Sequence, residues 1–304
     1  MRPLIDRIEA IIHRDVGRGM QPIFAAARGG LRAAASALAR DRAPRIGLLT
    51  GFFVPGGMPP AAETDGPVAT ALLVRAFRDA GLSCRVATDA VCASAIRAAL
   101  DGAGASDAPL DIASGGAPDE VPPNQTVDSI IATWRRADIS WALAIERCGP
   151  AADGCPRNMR GLDISGHTAP LDRLFTAGPW RTIAIGDGGN EIGMGNMPRF
   201  LVEQHIPFGD RIACVVPSNH LIAAGVSHWG GYALAAALSG LRRDWAAHMR
   251  LVLDPAMDRA VLTTMVRQGP AVDGVTGRCE ATIDTLPLDA HHTVLAEITG
   301  CLPR

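Results

Sequence analysis

Short apolar runs that end at a glycine-rich or polar corner and then give way to a helical pattern recur along this chain, and that alternation restricts its fold more than any other feature. Ile46-Gly47-Leu48-Leu49-Thr50 opens into the Gly/Pro-dense stretch 51–60. Pro67 then stands where a first-turn helical proline belongs, and Val68 to Ala80 is periodic at helical spacing with Gly81 as its stop. Ser83 to Thr88 reads as a strand and Ala90 to Leu100 as a helix, with further strands over Ser140 to Glu146, Thr182 to Gly186 and Arg211 to Val216. Strands alternating with helices predict an α/β fold of three layers, α/β/α, around a mainly parallel sheet. The stretches 101–125 and 147–170 read as loops, and the region from Leu221 onward as mostly helical. Leu4, Ile5, Ile8, Ile11 and Ile12 recur at helical spacing and Ile23 to Arg40 is alanine-rich, so the first forty residues predict two helices. The 304 residues fit one α/β domain over 1–304, with 1–42 as an N-terminal helical segment and 43–304 as the catalytic core.

Composition narrows the chemistry. All 29 basic residues are arginine, so pyridoxal-phosphate and Schiff-base enzymes, which need a lysine amine, are excluded, as is the lysine-bearing P-loop. A net charge of −2 offers no basic face for nucleic acid or anionic lipid, which leaves a small molecule as the expected partner, with a homo-oligomer compatible. Seven cysteines, odd in number, scattered and without a CxxC pair, fit neither a disulfide framework nor a zinc ribbon and predict a reducing, cytoplasmic setting. No apolar run approaches the ~20 residues of a membrane span. Residues 1–20 carry arginines, but Asp6, Glu9 and Asp15 argue for a surface helix rather than a transit peptide.

The densest polar feature is Gly186-Asp187-Gly188-Gly189-Asn190-Glu191-Ile192-Gly193-Met194-Gly195, with five glycines in ten residues after a strand. Such glycines let backbone N–H groups of residues like Gly188, Gly189 and Asn190 close on an anion. It is no dinucleotide fingerprint, because Glu191 stands where GxGxxG requires glycine, so NAD is not expected. Asp187 and Glu191 suggest acid/base groups beside a zwitterion or, if a metal is present, ligands with Asp65 for Mg²⁺ or Mn²⁺. Glu63-Thr64-Asp65-Gly66-Pro67 precedes a helix, where Thr64 or Asp65 can cap, N–H groups can hold a substrate carboxylate, and Glu63 or Asp65 can act as base. Arg147, Asn158 and Arg160 lie on an irregular segment suited to binding carboxylates through arginine forks. Thr50-Gly51, Asp89, Glu146-Arg147, Asp187 and Ser218-Asn219 all follow expected strand ends, which in open α/β sheets face one ligand crevice. His228 reads as a packing histidine where Val226 to Tyr232 interrupts helix, and His291-His292 as surface. Cys148 and Cys155 have no histidine nearby in sequence, and neither HExxH nor GxSxG occurs.

Thr50-Gly51-Phe52-Phe53 with Glu63 to Pro67, Asn158-Met159-Arg160-Gly161, the 186–195 motif and Val226 to Tyr232 together resemble the D-glutamate cyclase family, over nearly the whole chain. Against the family pattern, His228 replaces an asparagine before the tryptophan and Cys155-Pro156 a more aromatic stretch, which bears on substrate preference. The resemblance implies a carbon–oxygen lyase that dehydrates D-glutamate to 5-oxo-D-proline, and in animal relatives this domain is fused to a second, hydro-lyase-like domain. Ring closure needs a base for the ammonium, charge neutralisation at the γ-carboxylate and an acid for the departing oxygen. Asp187 or Glu191 is expected as base, the 63–67 turn and the 186–190 backbone as carboxylate holders, and Arg147 or a divalent ion as the polarising group. The competing readings are a metal-dependent lyase or hydrolase of a related amino or hydroxy acid, and a non-catalytic amino-acid-binding module.

Overall fold

A computed structural model describes residues 1–114 and 125–303. Its centre is a six-stranded sheet in the order Leu110–Ala113, Ser83–Asp89, Arg45–Leu49, Trp141–Ile145, Arg181–Gly186, His220–Ala223, with every pairing parallel. The side chains alternate between faces. Ile46, Leu48, Leu143, Ile145, Ile183 and Ile185 enter one buried cluster with the helices Arg2–Ile12, Gly30–Arg40, Pro67–Asp79, Ser227–Leu241 and Leu288–Gly300. Leu49, Ala87, Ala142, Ala144 and Ala184 enter the other, beneath helices Gln21–Ala27 and Val127–Arg136. This period of two on a sheet buried on both faces is the expected three-layer α/β/α arrangement. Strand order reverses between Arg45–Leu49 and Trp141–Ile145, which places the ligand crevice of such a sheet beyond the carboxyl ends of those two strands.

Helix Ser227–Leu241 is central. It lies between the central sheet and the helices Arg2–Ile12, Gly30–Arg40, Pro67–Asp79 and Leu288–Gly300, and is buried along nearly its whole length. The expected interruption at Val226 to Tyr232 is instead the first two turns of this helix. Gly230 and Gly231 are there for close approach: a Cβ on Gly230 would lie 2.3 Å from Ile185 Cγ2, and one on Gly231 2.7 Å from Ala69 Cβ. His228 is therefore a buried helical residue, bonded to Asp258 at 2.8 Å, and His291 is buried as well, accepting from Trp229 Nε1 at 2.9 Å.

Other expectations need correction. The first forty residues form three helices, because Gly17, Gly19 and Gly29, all at positive φ, break the pattern. The apolar run from Arg211 to Val216 is not a strand. It contains the end of the short helix Gly209–Ile212 and then lies over the 186–195 loop, where Cys214 N–H donates to Gly189 O and Gly193 N–H to Val216 O. The sixth strand is His220–Ala223, so Ser218 and Asn219 precede it. Within 101–125, Leu110–Ala113 is a strand, while 115–124 of that expected loop lie outside the described residues.

A smaller sheet, Phe53–Val54, Ala61–Glu63 and Ala271–Val272, brings the C-terminal region beside Glu63. After it, Asp273 accepts hydrogen bonds from Val275 N–H, Thr276 N–H, Thr282 Oγ1 and Thr285 N–H and so folds residues 273–285 over the crevice. The hairpin Thr282–Ile283/Leu286–Pro287 turns at Asp284 and Thr285, both at positive φ, the two-residue turn that matches strand twist.

Candidate functional site

A cavity of about 230 Å³ opens at the carboxyl end of the sheet, below the ~300–1,000 Å³ typical for drug-sized ligands and suited to a small metabolite. Of the sequence candidates, Glu63, Asn158, Arg160 and Asp187 line it. Arg18, Glu146 and Asp284 line it too; Glu146 was expected at the crevice as a residue following a strand end, whereas sequence reasoning did not assign Arg18 or Asp284 to the site.

The 186–191 loop does bind an anion, but its own. Glu191 is fully buried, and its carboxylate accepts from Asp187 N–H at 3.0 Å, Gly188 N–H and Gly189 N–H. Glu191 is thus the brace of the loop rather than its base, and the Gly188 and Gly189 amides are not free to hold substrate. Asn190 donates to Arg157 O at 2.8 Å and ties the loop to the segment bearing Asn158 and Arg160. The brace leaves Asp187 pointing at the N-terminus of Ser227–Leu241, where Ser227 N–H is shared between Asp187 Oδ2 at 2.7 Å and Asp65 Oδ2 at 3.0 Å. Amides at a helix start favour negative charge. Ser227 Oγ donates to Glu146 Oε2 at 2.6 Å, and Glu146, at the strand-order reversal, takes φ 44°.

Arg147, expected to polarise substrate, does not line the cavity. Its buried guanidinium is consumed by Asp89, Gly51 O and Ala169 O, so it knits three loop corners beneath the site. The cavity's deep guanidinium is Arg18, between helices Arg2–Ile12 and Gln21–Ala27, which forms ion pairs with Asp187 through Nη1 and with Asp284 through Nη2 at 2.6 Å. Asp15 accepts from Gly17, Arg18 and Gly19 N–H and shapes the turn that delivers it. The region read as a surface helix thus supplies the site's central cation. Its sequence signal was faint: an arginine between two glycines after an aspartate.

Gly66 N–H donates to Asp65 Oδ1 at 2.7 Å and Thr64 Oγ1 to Thr282 O at 2.8 Å, so the 63–67 turn also spends its donors internally. Gly66, at φ 85°, admits no side chain, since a Cβ would lie 2.7 Å from Glu146 Cβ and 2.8 Å from Thr50 Oγ1. Thr50 is therefore a packing partner of the turn, and Gly51 lies against Thr88 and Cys92 instead. Ser218 and Asn219 belong elsewhere: Asn219 accepts from Thr182 N–H at 2.8 Å, at the amino end of the sheet, because the strand they were expected to follow begins after them.

Glu63, Asp65, Glu146, Asp187 and Asp284 thus share one buried region with Arg18. Burial pushes all five carboxyls up, Glu63, Asp65 and Glu146 well above the ordinary range, with their neighbours' negative charge adding to it. Asp284 is pushed up to about 7 by burial despite Arg18. Asp187 is raised as well, against the opposing pull of Arg18 and the Ser227 amide. Burial works against charge on Arg18, but Asp187 and Asp284 outweigh it and hold the guanidinium firmly protonated. Proton-bearing and ionised carboxyls side by side can both give and take protons near neutrality.

Carboxylate oxygens of Asp65, Asp187 and Asp284 lie within 4.8 Å of one another, as do those of Glu146, Asp187 and Glu191. The expected trio Asp65, Asp187, Glu191 is thus divided between two groups. In the first, Arg18 already bridges two members; in the second, Glu191 is spent on backbone amides. Neither donor set suits a divalent ion while these contacts stand. No helix among the described residues is long and apolar enough to cross a membrane.

Comparison with known proteins bears on the same residues. A stretch of 100 residues is 48% identical to human mitochondrial D-glutamate cyclase, covering 32% of this chain and 16% of the human protein. The family described as D-glutamate cyclase-like, C-terminal, matches residues 8–299, which takes in Arg18, the 186–191 loop and Asp284. The chain belongs to the D-glutamate cyclase-like C-terminal family.

Proposed function

We propose that this protein is a carbon–oxygen lyase that closes D-glutamate to 5-oxo-D-proline with loss of water. The observation that carries the proposal is the pairing of two carboxyls on one guanidinium in a small cavity. Arg18 and the helix N-terminus pull Asp187 toward the anion against the burial that raises it, while Asp284 holds its proton up to about pH 7. The name of the human relative and the family description point the same way.

The reaction needs that division of labour. The substrate ammonium must lose two protons in all, and the γ-carboxylate oxygen that departs must gain two, so the overall step is proton-neutral. Asp187 takes a proton from the ammonium, freeing the amine to attack the γ-carbon. Asp284 supplies one proton to the departing oxygen and Asp187 passes on the one it took from nitrogen, so that oxygen leaves as water, and the second proton lost by nitrogen restores Asp284 through the neighbouring carboxyls. Confinement in the cavity turns the folded substrate conformer into the reactive one.

Incubation with D- and L-glutamate, each with EDTA, Mg²⁺ or Mn²⁺, followed by chiral chromatography, tests this. D-Glutamate should disappear as 5-oxo-D-proline forms, and Asp187→Asn should cut the rate by about 10²- to 10⁴-fold, the range for loss of a general base. Binding of D-glutamate without turnover under any of these conditions would instead assign a binding module.

A further inference from the structure

The cavity, lined by four carboxyls with Asp65 close to Asp187, raises a question of charge. An acidic amino acid brings two carboxylates to it, and general electrostatics requires that each meet a cation or a proton. Two arginines line the cavity, and they differ in depth. Arg18 lies inside, between Asp187 and Asp284. Arg160 is exposed at the mouth, where Nη2 donates to Val275 O at 2.8 Å. Arg147, the third arginine near the site, is closed off by Asp89 and two carbonyls.

The inner group is incompletely satisfied. Arg18 Nη1 approaches Asp187 closely but makes no well-directed hydrogen bond, and two buried oxygens of residues lining the same cavity, Asp284 Oδ2 and Glu63 Oε1, have no partner. Buried polar atoms are seldom left unpaired unless a ligand or reaction uses them. One donor and two acceptors, all from residues around one small cavity, match a carboxyl group that accepts from the guanidinium and donates, once protonated, to a carboxylate oxygen. The backbone is built to hold Arg18 in place: Asp15 gathers three successive amides, and Gly19, at φ 82°, is pressed against His205 O, where a Cβ would lie at 2.3 Å.

Resting on the lyase reading above, we infer that the substrate enters with its reacting γ-carboxylate inward against Arg18 and its α-carboxylate outward at Arg160. Arg18 is then a catalytic residue, its charge neutralising the carboxylate that the amine attacks and the oxyanion that follows. Arg160 is a binding residue that fixes the far end. The arrangement demands an inner carboxylate for turnover and a second, outer one for affinity, so a monocarboxylic amino acid lacks one of the two anchors.

Steady-state kinetics of Arg18→Met, Arg18→Lys and Arg160→Met separate these roles, together with calorimetric binding of D-glutamate and of glutarate, which has both carboxylates and no amine. Arg18→Met should lower kcat on the order of 10²- to 10³-fold, as loss of an oxyanion donor does, and Arg160→Met should raise KM on the order of 10-fold with kcat nearly kept. Guanidinium ion added to Arg18→Ala should restore part of kcat, which a merely structural role for Arg18 would not permit. Thermal melts report whether each variant folds, and Arg18→Lys, which keeps the charge and loses the fork, serves if the shorter variants do not. The inference falls if Arg18→Met and Arg18→Lys both keep kcat within a few-fold, or if Arg160→Met loses kcat rather than affinity. Wild-type protein that binds glutarate but turns nothing over would sink the lyase reading alone, with Arg18→Met still required to weaken glutarate binding. Wild-type protein that binds neither dicarboxylate would overturn both.

Discussion

At the scale of single residues, two carboxylates four positions apart in one loop have opposite duties. Glu191 faces inward onto three amides and Asp187 outward onto Arg18. Both acids were legible in the sequence, and the glycines correctly signalled an anion-holding backbone. What could not be read was that the anion is a side chain of the same loop, since sequence spacing does not say which way a carboxylate points. A consequence can be measured. Glu191→Gln keeps an acceptor oxygen for the two amides at Oε1 but turns an NH₂ onto Gly189 N–H, and leaving a buried donor unpaired costs about 1–3 kcal/mol. Urea unfolding should register that loss, together with a fall in activity as Asp187 loses its orientation; an unchanged denaturation midpoint would show that the loop holds without its brace.

Among the elements, the helix Ser227–Leu241 joins two polar centres. Its first residue meets Asp65, Asp187 and Glu146, while His228, in the same turn, reaches Asp258 of helix Pro255–Gln268. Asp258 also bonds His292 at 2.9 Å, so one buried carboxylate pins three helices. Burial disfavours its charge, but His228, His292 and Tyr232 outweigh that and hold Asp258 well below the usual carboxylate range. Asp258→Asn should cost about 3 kcal/mol, as breaking a buried charged network does, and lower Tm accordingly. Apolar runs identified the strands at 46–50, 83–88, 140–146 and 182–186 because both faces are apolar there. It misplaced the sixth because Ala213-Cys214-Val215-Val216, an apolar run used to cover the glycine loop, looks the same as a strand by composition. Ser218 and Asn219 were carried to the wrong end of the sheet by that slip.

Over the whole molecule, the site's excess of acid shapes stability against pH. Asp284 is raised from its ordinary 3.8 to about 7, so the folded state binds the extra proton between those values and its contribution is fully present below about pH 4 and lost as pH rises through 7. Glu63, Asp65 and Glu146, raised by the same burial, act in the same direction. His291, lowered by burial to about 4, acts oppositely, losing stability as pH falls from 6.5, as do His13 and His220, also lowered by burial, but the buried carboxyls of the site, Asp187 among them, are more numerous. The fold should therefore be more stable at pH 5 than at pH 8. Asp284→Asn, close to the protonated acid in shape, should be near neutral at pH 5 and stabilising by at least about 1 kcal/mol at pH 8. Thermal melts at the two pH values decide it; equal effects at both would show that Asp284 does not titrate between them. Arg18 and Asp284 escaped the sequence reading for one reason: each is informative only through a partner far along the chain, and neither sits in a local pattern.

That separation has a further meaning for how the protein is made. Arg18 is synthesised well before both of its partners, Asp187 and, in the hairpin Thr282–Ile283/Leu286–Pro287, Asp284. Until that hairpin is synthesised, the guanidinium has no Asp284 and the crevice has no roof. A nascent polypeptide can assemble much of the sheet and still lack a working centre, so the chemistry waits until the hairpin that carries Asp284 has been made.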